Sequence, residues 1–346
     1  SGGTGTISYS WNTTPVQTTA TATGLTAGSY TCTVKDASNC TVIVNATITQ
    51  PAAALDANIT AQTNVLCFGN ATGSATVSVS GGTPAYTYSW NTTPAQTGAT
   101  ANNLPAGTWT CTITDANSCS ITRSATITQP AAALSASISA QTNVLCFGNS
   151  TGSATANSSG GAGGYSYTWN TTPVQNTATA SNLPAGTYTC TIGDANGCGT
   201  SVNVTITQPA SALNASLAAQ TNVSCVGAAT GSATVNAIGG SGLISYLWNT
   251  SPAQSGAMAS GLTAGSYTCA VHDANNCAVL VNVIITQPAA ALSGTISAQT
   301  DVLCFGNSTG SATASANGGT AAYAYSWNTS PVQNTATAIN LPAGTW

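Results

Sequence analysis

The chain has 346 residues, of which only 2% are charged: two Lys or Arg and six Asp or Glu, for a formal net charge of −4. Ordinary soluble domains carry about 25% charged residues; with Lys35 and Arg123 as the only basic residues, nucleic acid and polybasic membrane attachment are both excluded as modes of binding. The lack of Glu, the single His272 and the absence of paired carboxylates at any repeated spacing leave general acid–base chemistry without its parts, so the chain reads as non-enzymatic, with no cofactor or metal.

One pattern recurs without slippage. Trp11, Trp90, Trp169, Trp248 and Trp327 are each 79 residues from the next, in stretches such as Tyr86-Thr87-Tyr88-Ser89-Trp90-Asn91-Thr92-Thr93-Pro94. A period this strict means an array of one small domain. The expected division is a partial repeat over 1–51, repeats over 52–130, 131–209 and 210–288, and a partial repeat over 289–346. Opening and closing inside a repeat, the chain is expected to be a window onto a longer array. No apolar run approaches the ~18 residues of a membrane span, so no insertion is expected within it.

Taking 52–130 in order, Leu55, Ala57, Ile59, Ala61, Val65 and Cys67 alternate with polar residues, as in a first strand with that set turned inward. Phe68 to Gly73 reads as a turn. Ala75, Val77 and Val79 mark a second strand, and Tyr86, Tyr88 and Trp90 a third with its aromatics in the core. Gln96 to Asn103 reads as short edge strands. Trp109, Cys111 and Ile113 then face inward, and Asp115-Ala116-Asn117-Ser118 turns a hairpin into Cys119, Ile121, Ala125 and Ile127. Gln129-Pro130 closes the repeat, because Pro cannot donate to a ladder. Roughly seven short strands with turn signals every 8–12 residues predict an all-β fold of tandem immunoglobulin-like Greek-key β-sandwich domains. An aromatic two residues before a Cys (Tyr30, Trp109, Tyr188, Tyr267) sits where a tyrosine corner would.

Twelve Cys fall three to a period, at spacings unlike zinc knuckles, so disulfides in an oxidising extracellular setting are expected. In a sandwich of this kind the first strand ends at the pole where the strand after Leu104-Pro105-Ala106-Gly107 begins. Cys119 starts the last strand at the other pole, roughly 25–30 Å away for about eight residues, against about 7 Å allowed between bridged Cα atoms. The expected pairs are therefore Cys67–Cys111, Cys146–Cys190 and Cys225–Cys269, each worth ~3–4 kcal/mol. Cys40, Cys119, Cys198 and Cys277 are left over, one per hairpin, as buried thiols or as links to another chain or the adjoining domain. A rival pairing of the Cys67 and Cys119 types, within a domain or across a joint, stays open.

Asn12, Asn91, Asn170, Asn249 and Asn328 recur as Asn-x-Thr/Ser triplets at one loop and are candidate glycosylation sites. The plainer reading is a turn in which the Asn side chain bonds local backbone. The same reading covers Asp36, Asp115, Asp194 and Asp273, since a Ca²⁺ site needs several carboxylates.

The motifs Cys67-Phe68-Gly69, Gly73-Ser74-Ala75-Thr76, Gly81-Gly82, Tyr86-x-Tyr88-x-Trp90, Leu104-x-Ala106-Gly107 and Asp115-Ala116-Asn117-x-Cys119 resemble the SprB-type repeat, in every copy. That resemblance implies a secreted, cell-surface adhesin of the kind known from Bacteroidetes, including gliding adhesins, and carries no ligand residues with it. The combined expectation is a structural or adhesive extracellular rod. Its uncharged repeating faces would self-associate into a filament, and covalent glycans would coat it. The alternative is a module recognising surface polysaccharide through its repeats.

Overall fold

The computed structural model describes residues 2–346. Regular structure among them is strand throughout, with no helix. Two compact units are distinguished: Ser1–Ser135 with Ser158–Tyr165 and Ile192–Thr200, and Ala136–Asn157 with Ser166–Thr191 and Ser201–Trp346.

In the first unit, β1 (Ser8–Trp11), β2 (Gly28–Lys35) and β3 (Thr41–Ile48) form one three-stranded antiparallel sheet. Next come β4 (Asp56–Thr63), β5 (Gly73–Ser80), β6 (Thr87–Trp90), β7 (Thr100–Leu104), β8 (Gly107–Thr114) and β9 (Ser120–Ile127). They make two sheets of order β4-β5-β7 and β6-β8-β9, so the chain changes sheet after β5, β6 and β7. That is an immunoglobulin-like sandwich, with six strands in place of seven because the Gln96–Asn103 stretch supplies only β7.

Alternation in the sequence dictates the core. Ala75 and Val77 of β5 meet Trp90 of β6, Cys111 and Ile113 of β8, and Ala125 and Ile127 of β9, with Ala101 and Leu104 closing one side. Trp90 is 1% exposed, and its indole N–H donates to the Gly98 carbonyl at 3.0 Å. Burying ~150–250 Å² of such a side chain at ~25 cal/mol per Å² is worth on the order of 4–6 kcal/mol. The two sheets leave no room for a side chain at Gly73, where a Cβ would lie 2.6 Å from Ile127 Cγ2 and 2.7 Å from the Leu104 carbonyl.

The first strand departs from its expected course. Its register against β5 shifts between Ile59 and Ala61, and pairing stops at Thr63. Such a bulge breaks the period-2 rule, so Ala57 before it is buried while Ala61 after it is exposed, and Cys67 lies beyond the strand on a turn.

In the second unit, residues 210–288 repeat the arrangement. One sheet holds Asn214–Thr221, Gly231–Ile238 and Met258–Leu262; the other holds Ser245–Trp248, Gly265–His272 and Ala278–Ile285, edged by the two-residue Gln254–Ser255. Trp248, Cys269, Val271, Val283 and Ile285 fill its core. Residues 289–346 form a single sheet of Ser293–Thr300, Gly310–Asn317 and Thr337–Leu341. Strands at equivalent positions recur over 131–209, where Trp169 is fully buried.

Candidate functional site

What distinguishes this fold from a simple string of sandwiches is a built joint between successive repeats. Two disulfides form it, Cys67–Cys198 and Cys146–Cys277, each with Cα atoms 5.7 Å apart and a sequence separation of 131. Each ties the turn after the first strand of one repeat to the Asp-Ala-Asn hairpin of the next. Beside the sulfurs, the Asn196 Nδ2 donates to the Leu66 carbonyl and the Asn275 Nδ2 to the Leu145 carbonyl, both at 2.9 Å.

Both halves of the joint are held rigidly by their own repeat. On the turn side, Gln129 Oε1 accepts the Gly69 N–H and Gln208 Oε1 accepts the Gly148 N–H, each at 2.8 Å. The Gln of each Gln-Pro closure thus fixes the loop carrying the bridging Cys. On the hairpin side, Asp194 Oδ1 accepts the N–H of Asn196 and Cys198, and its Oδ2 accepts the Ala162 N–H. Asp273 does the same for Asn275, Cys277 and Ser241.

These donors set the carboxylates. The Thr83 N–H first, then those of Cys119 and Asn117, hold Asp115 below the usual range against the opposing effect of burial. Asp36 and Asp194 are lowered alike, chiefly by the N–H of Thr4 and of Ala162. For Asp273 burial pushes upward most strongly, but the N–H donors of Cys277, Ser241 and Asn275 together outweigh it. The expected Asx turns are therefore present and do more than turn the chain, because the second oxygen straps the hairpin to the Gly-Gly loop.

The expected pairs Cys67–Cys111, Cys146–Cys190 and Cys225–Cys269 are corrected by this arrangement. Cys111 sits in the middle of β8 opposite Trp90, fully buried, as are Cys190 and Cys269; all three are free thiols. Cys67 and Cys146 lie outside the sandwich on turns, and Cys225 is an exposed thiol. A bridge into the core would need the turn to fold back through a close-packed interior. Burial pushes the Cys111, Cys190 and Cys269 thiols up, as expected where the thiolate is desolvated. The rival pairing across a joint is the one realised. Cys198 and Cys277 are thus links to the adjoining repeat, while Cys40 and Cys119 remain exposed thiols.

The recurring Asn side chains are exposed. Asn12, Asn91, Asn170 and Asn249 each accept a backbone N–H, from Thr31, Thr110, Thr189 and Thr268, at 2.8 Å. Asn328 is exposed at the equivalent place. The corner aromatics also fall as expected: Tyr30, Tyr188 and Tyr267 hydroxyls donate to the carbonyls of Thr26, Pro184 and Thr263. Trp109 substitutes its indole N–H, donating to Pro105 at 2.9 Å. Among the described residues no group of three or more His, Cys, Asp or Glu could hold a metal.

Reading the sequence missed the joint's Asn196 and Asn275, and the Gln62 amide that donates to Asn64 Oδ1 and the Thr126 carbonyl. Their only signal was recurrence at a fixed place in the period, shared with dozens of turn residues.

The SprB repeat family model matches the chain four times, at residues 59–94, 138–173, 217–253 and 296–332. Among curated proteins, none matches it in sequence. Of solved structures, three N-terminal domains of the bacteriophage RB49 highly immunogenic outer capsid protein align at 13% identity and TM-score 0.30, over 67% of this chain and 97% of that one. The tetra-tandem repeat in the extending region of a large adhesion protein aligns at 12% and 0.29, over 80% and 90%. The eight N-terminal immunoglobulin domains of Down syndrome cell adhesion molecule align at 13% and 0.27, over 90% and 48%. Superpositions this loose carry no argument about function.

Proposed function

Since the chain is a SprB-repeat protein, we propose that it is a non-enzymatic, extracellular structural and adhesive element, forming a rod or filament at a cell surface. One observation carries this reading: the joint between repeats is covalent. Disulfides persist in oxidising surroundings, and a link placed between repeats ties neighbours together independently of the main chain that joins them. Near-absence of charge removes the repulsion that keeps β-rich surfaces apart, which favours lateral association. Exposed Asn12, Asn91, Asn170, Asn249 and Asn328 are acceptors for covalent glycan that would supply the missing hydration.

The polysaccharide-binding alternative gains little support from the side chains. Trp90, Trp169 and Trp248 face the cores, so the strand that gives each repeat its aromatics offers no stacking platform. Electron microscopy of the chain under oxidising and reducing conditions tests the structural reading. Rods of constant calibre that become flexible on reduction are expected; globular particles insensitive to reductant would overturn it. A glycan array with the same chain separates the alternative, because saturable binding to one polysaccharide would move the function to recognition.

A further inference from the structure

In the repeats 52–130, 131–209 and 210–288 the hairpin Asp-Ala-Asn-x-Cys differs at one position, which holds Ser118, Gly197 and Asn276 in turn. All three residues adopt a left-handed φ, at 66°, 80° and 62°, so Ser and Asn are both accommodated there. Space does not demand glycine either, since a Cβ at Gly197 would meet nothing within 4 Å. The fold leaves this position open, and what Gly197 changes is the chemistry of the Asn before it.

An Asn side chain followed by Gly is open to attack by its own backbone. The Gly nitrogen adds to the Asn Cγ to form a cyclic imide, and the side-chain nitrogen leaves as ammonia, taking up the proton of the backbone N–H. Water then opens the ring at either carbonyl, giving Asp or an iso-Asp whose main chain runs through the side-chain carbon. Any Cβ on the following residue crowds this approach; glycine has none and reaches the required backbone conformation most freely. Asn196 is therefore open to the reaction, whereas Asn275 is screened by the side chain of Asn276.

Three contacts restrain Asn196. Its Nδ2 donates to the Leu66 carbonyl of the preceding repeat at 2.9 Å, and its N–H donates to Asp194 Oδ1 at 3.0 Å. The Gly197 N–H, whose nitrogen is the nucleophile, donates to the Asp194 carbonyl at 3.0 Å. Attack requires the side-chain amide to rotate onto that nitrogen, which breaks its tie to Leu66. The Cys67–Cys198 bridge, beginning one residue from Leu66 and ending two from Asn196, keeps the tie closed. Asn275 is anchored alike, to the Leu145 carbonyl at 2.9 Å, so the following residue is what sets the two joints apart.

We propose that Asn196 is a site of spontaneous deamidation controlled by its joint, shut while Cys67–Cys198 holds and opened when that bridge is lost. The product sets a carboxylate against the Leu66 carbonyl, two acceptors with no donor between them. As iso-Asp it also lengthens the main chain between Asp194 and Cys198. The change is irreversible, so an opening of this joint leaves a lasting mark, while the joint built on Asn275 is spared. None of this depends on filament formation.

The test ages the unsubstituted chain and Cys67→Ser, which leaves the hairpin sequence intact, in mildly alkaline buffer, and follows Asn196 and Asn275 by peptide mass spectrometry. Conversion at Asn196 is expected to be roughly tenfold faster or more in Cys67→Ser, the factor for releasing one or two hydrogen bonds. Asn275, whose bridge is intact in both, should stay slow. C67S/G197N, which copies the Asn-Asn of the other joint, should return position 196 to the slow rate. Equal rates at Asn196 with and without the bridge would overturn control by the joint. Conversion at Asn275 as fast as at Asn196 in Cys67→Ser, or fast conversion persisting in C67S/G197N, would overturn the assignment to Asn196-Gly197. Circular dichroism controls for folding; if Cys67→Ser does not fold, the unsubstituted chain aged with and without reductant gives the same comparison.

Discussion

At the scale of single residues, the sandwich depends on a few inward positions that the period-2 pattern places without ambiguity. Ile113 is fully buried between Trp90 and the opposite sheet. Ile113→Ala should destabilise its repeat by about 2–5 kcal/mol, the range for deleting a buried aliphatic side chain, read as a lower urea midpoint in Trp fluorescence. Cys111 is the less obvious case. Its neighbourhood is apolar, it makes no bridge, and Cys111→Ala should cost far less than Ile113→Ala. If Cys111 were disulfide-bonded to Cys67, the same change would instead abolish a band shift on reduction.

At the scale of elements, the hairpin carboxylates connect two loops that strand pairing alone would leave independent. Their lowered pKa values give a signed pH dependence. A carboxylate held below its ordinary value of about 3.9 contributes its full stabilisation above that value and loses it as pH falls through the folded pKa. The melting temperature should therefore be nearly flat from neutral pH down to about 5, then fall steeply in more acidic buffer. A triple D115N/D194N/D273N variant should melt lower at neutral pH and show a shallower acid limb. Asn keeps one accepting oxygen but cannot serve all three N–H donors. The joint disulfides act at this scale too. Closing a span of 131 residues removes at most about 5 kcal/mol of unfolded-chain entropy. C67S/C198S should accordingly lower the unfolding midpoint while leaving the circular dichroism of the folded chain unchanged.

At the scale of the whole molecule, the thiol inventory is a single measurement that checks every cysteine assignment together. Of twelve cysteines, four are in the two bridges and eight are free, four exposed and four buried. Alkylation of the monomeric native chain should modify Cys40, Cys119, Cys225 and Cys304 quickly. The other four free thiols should react only in denaturant, since a buried, raised-pKa thiol is a poor nucleophile. Four slow cysteines at 67, 146, 198 and 277 should need reductant as well. Modification of Cys67 without reductant would show that the joint is not covalent.

The sequence by itself determined the period, the all-strand fold, the inward faces and the Trp-centred cores, because these follow from local alternation repeated at a fixed spacing. It also placed the corner aromatics and the hairpin turns, which are set within a few residues. It misjudged the extent of the first strand, since the bulge after Ile59 depends on how β4 sits against β5 rather than on β4's own pattern. Only the tertiary structure decided the cysteine partners. Whether Cys67 meets Cys111 or Cys198 depends on which loop of the next repeat arrives at its turn, a contact across 131 residues that no local periodicity encodes.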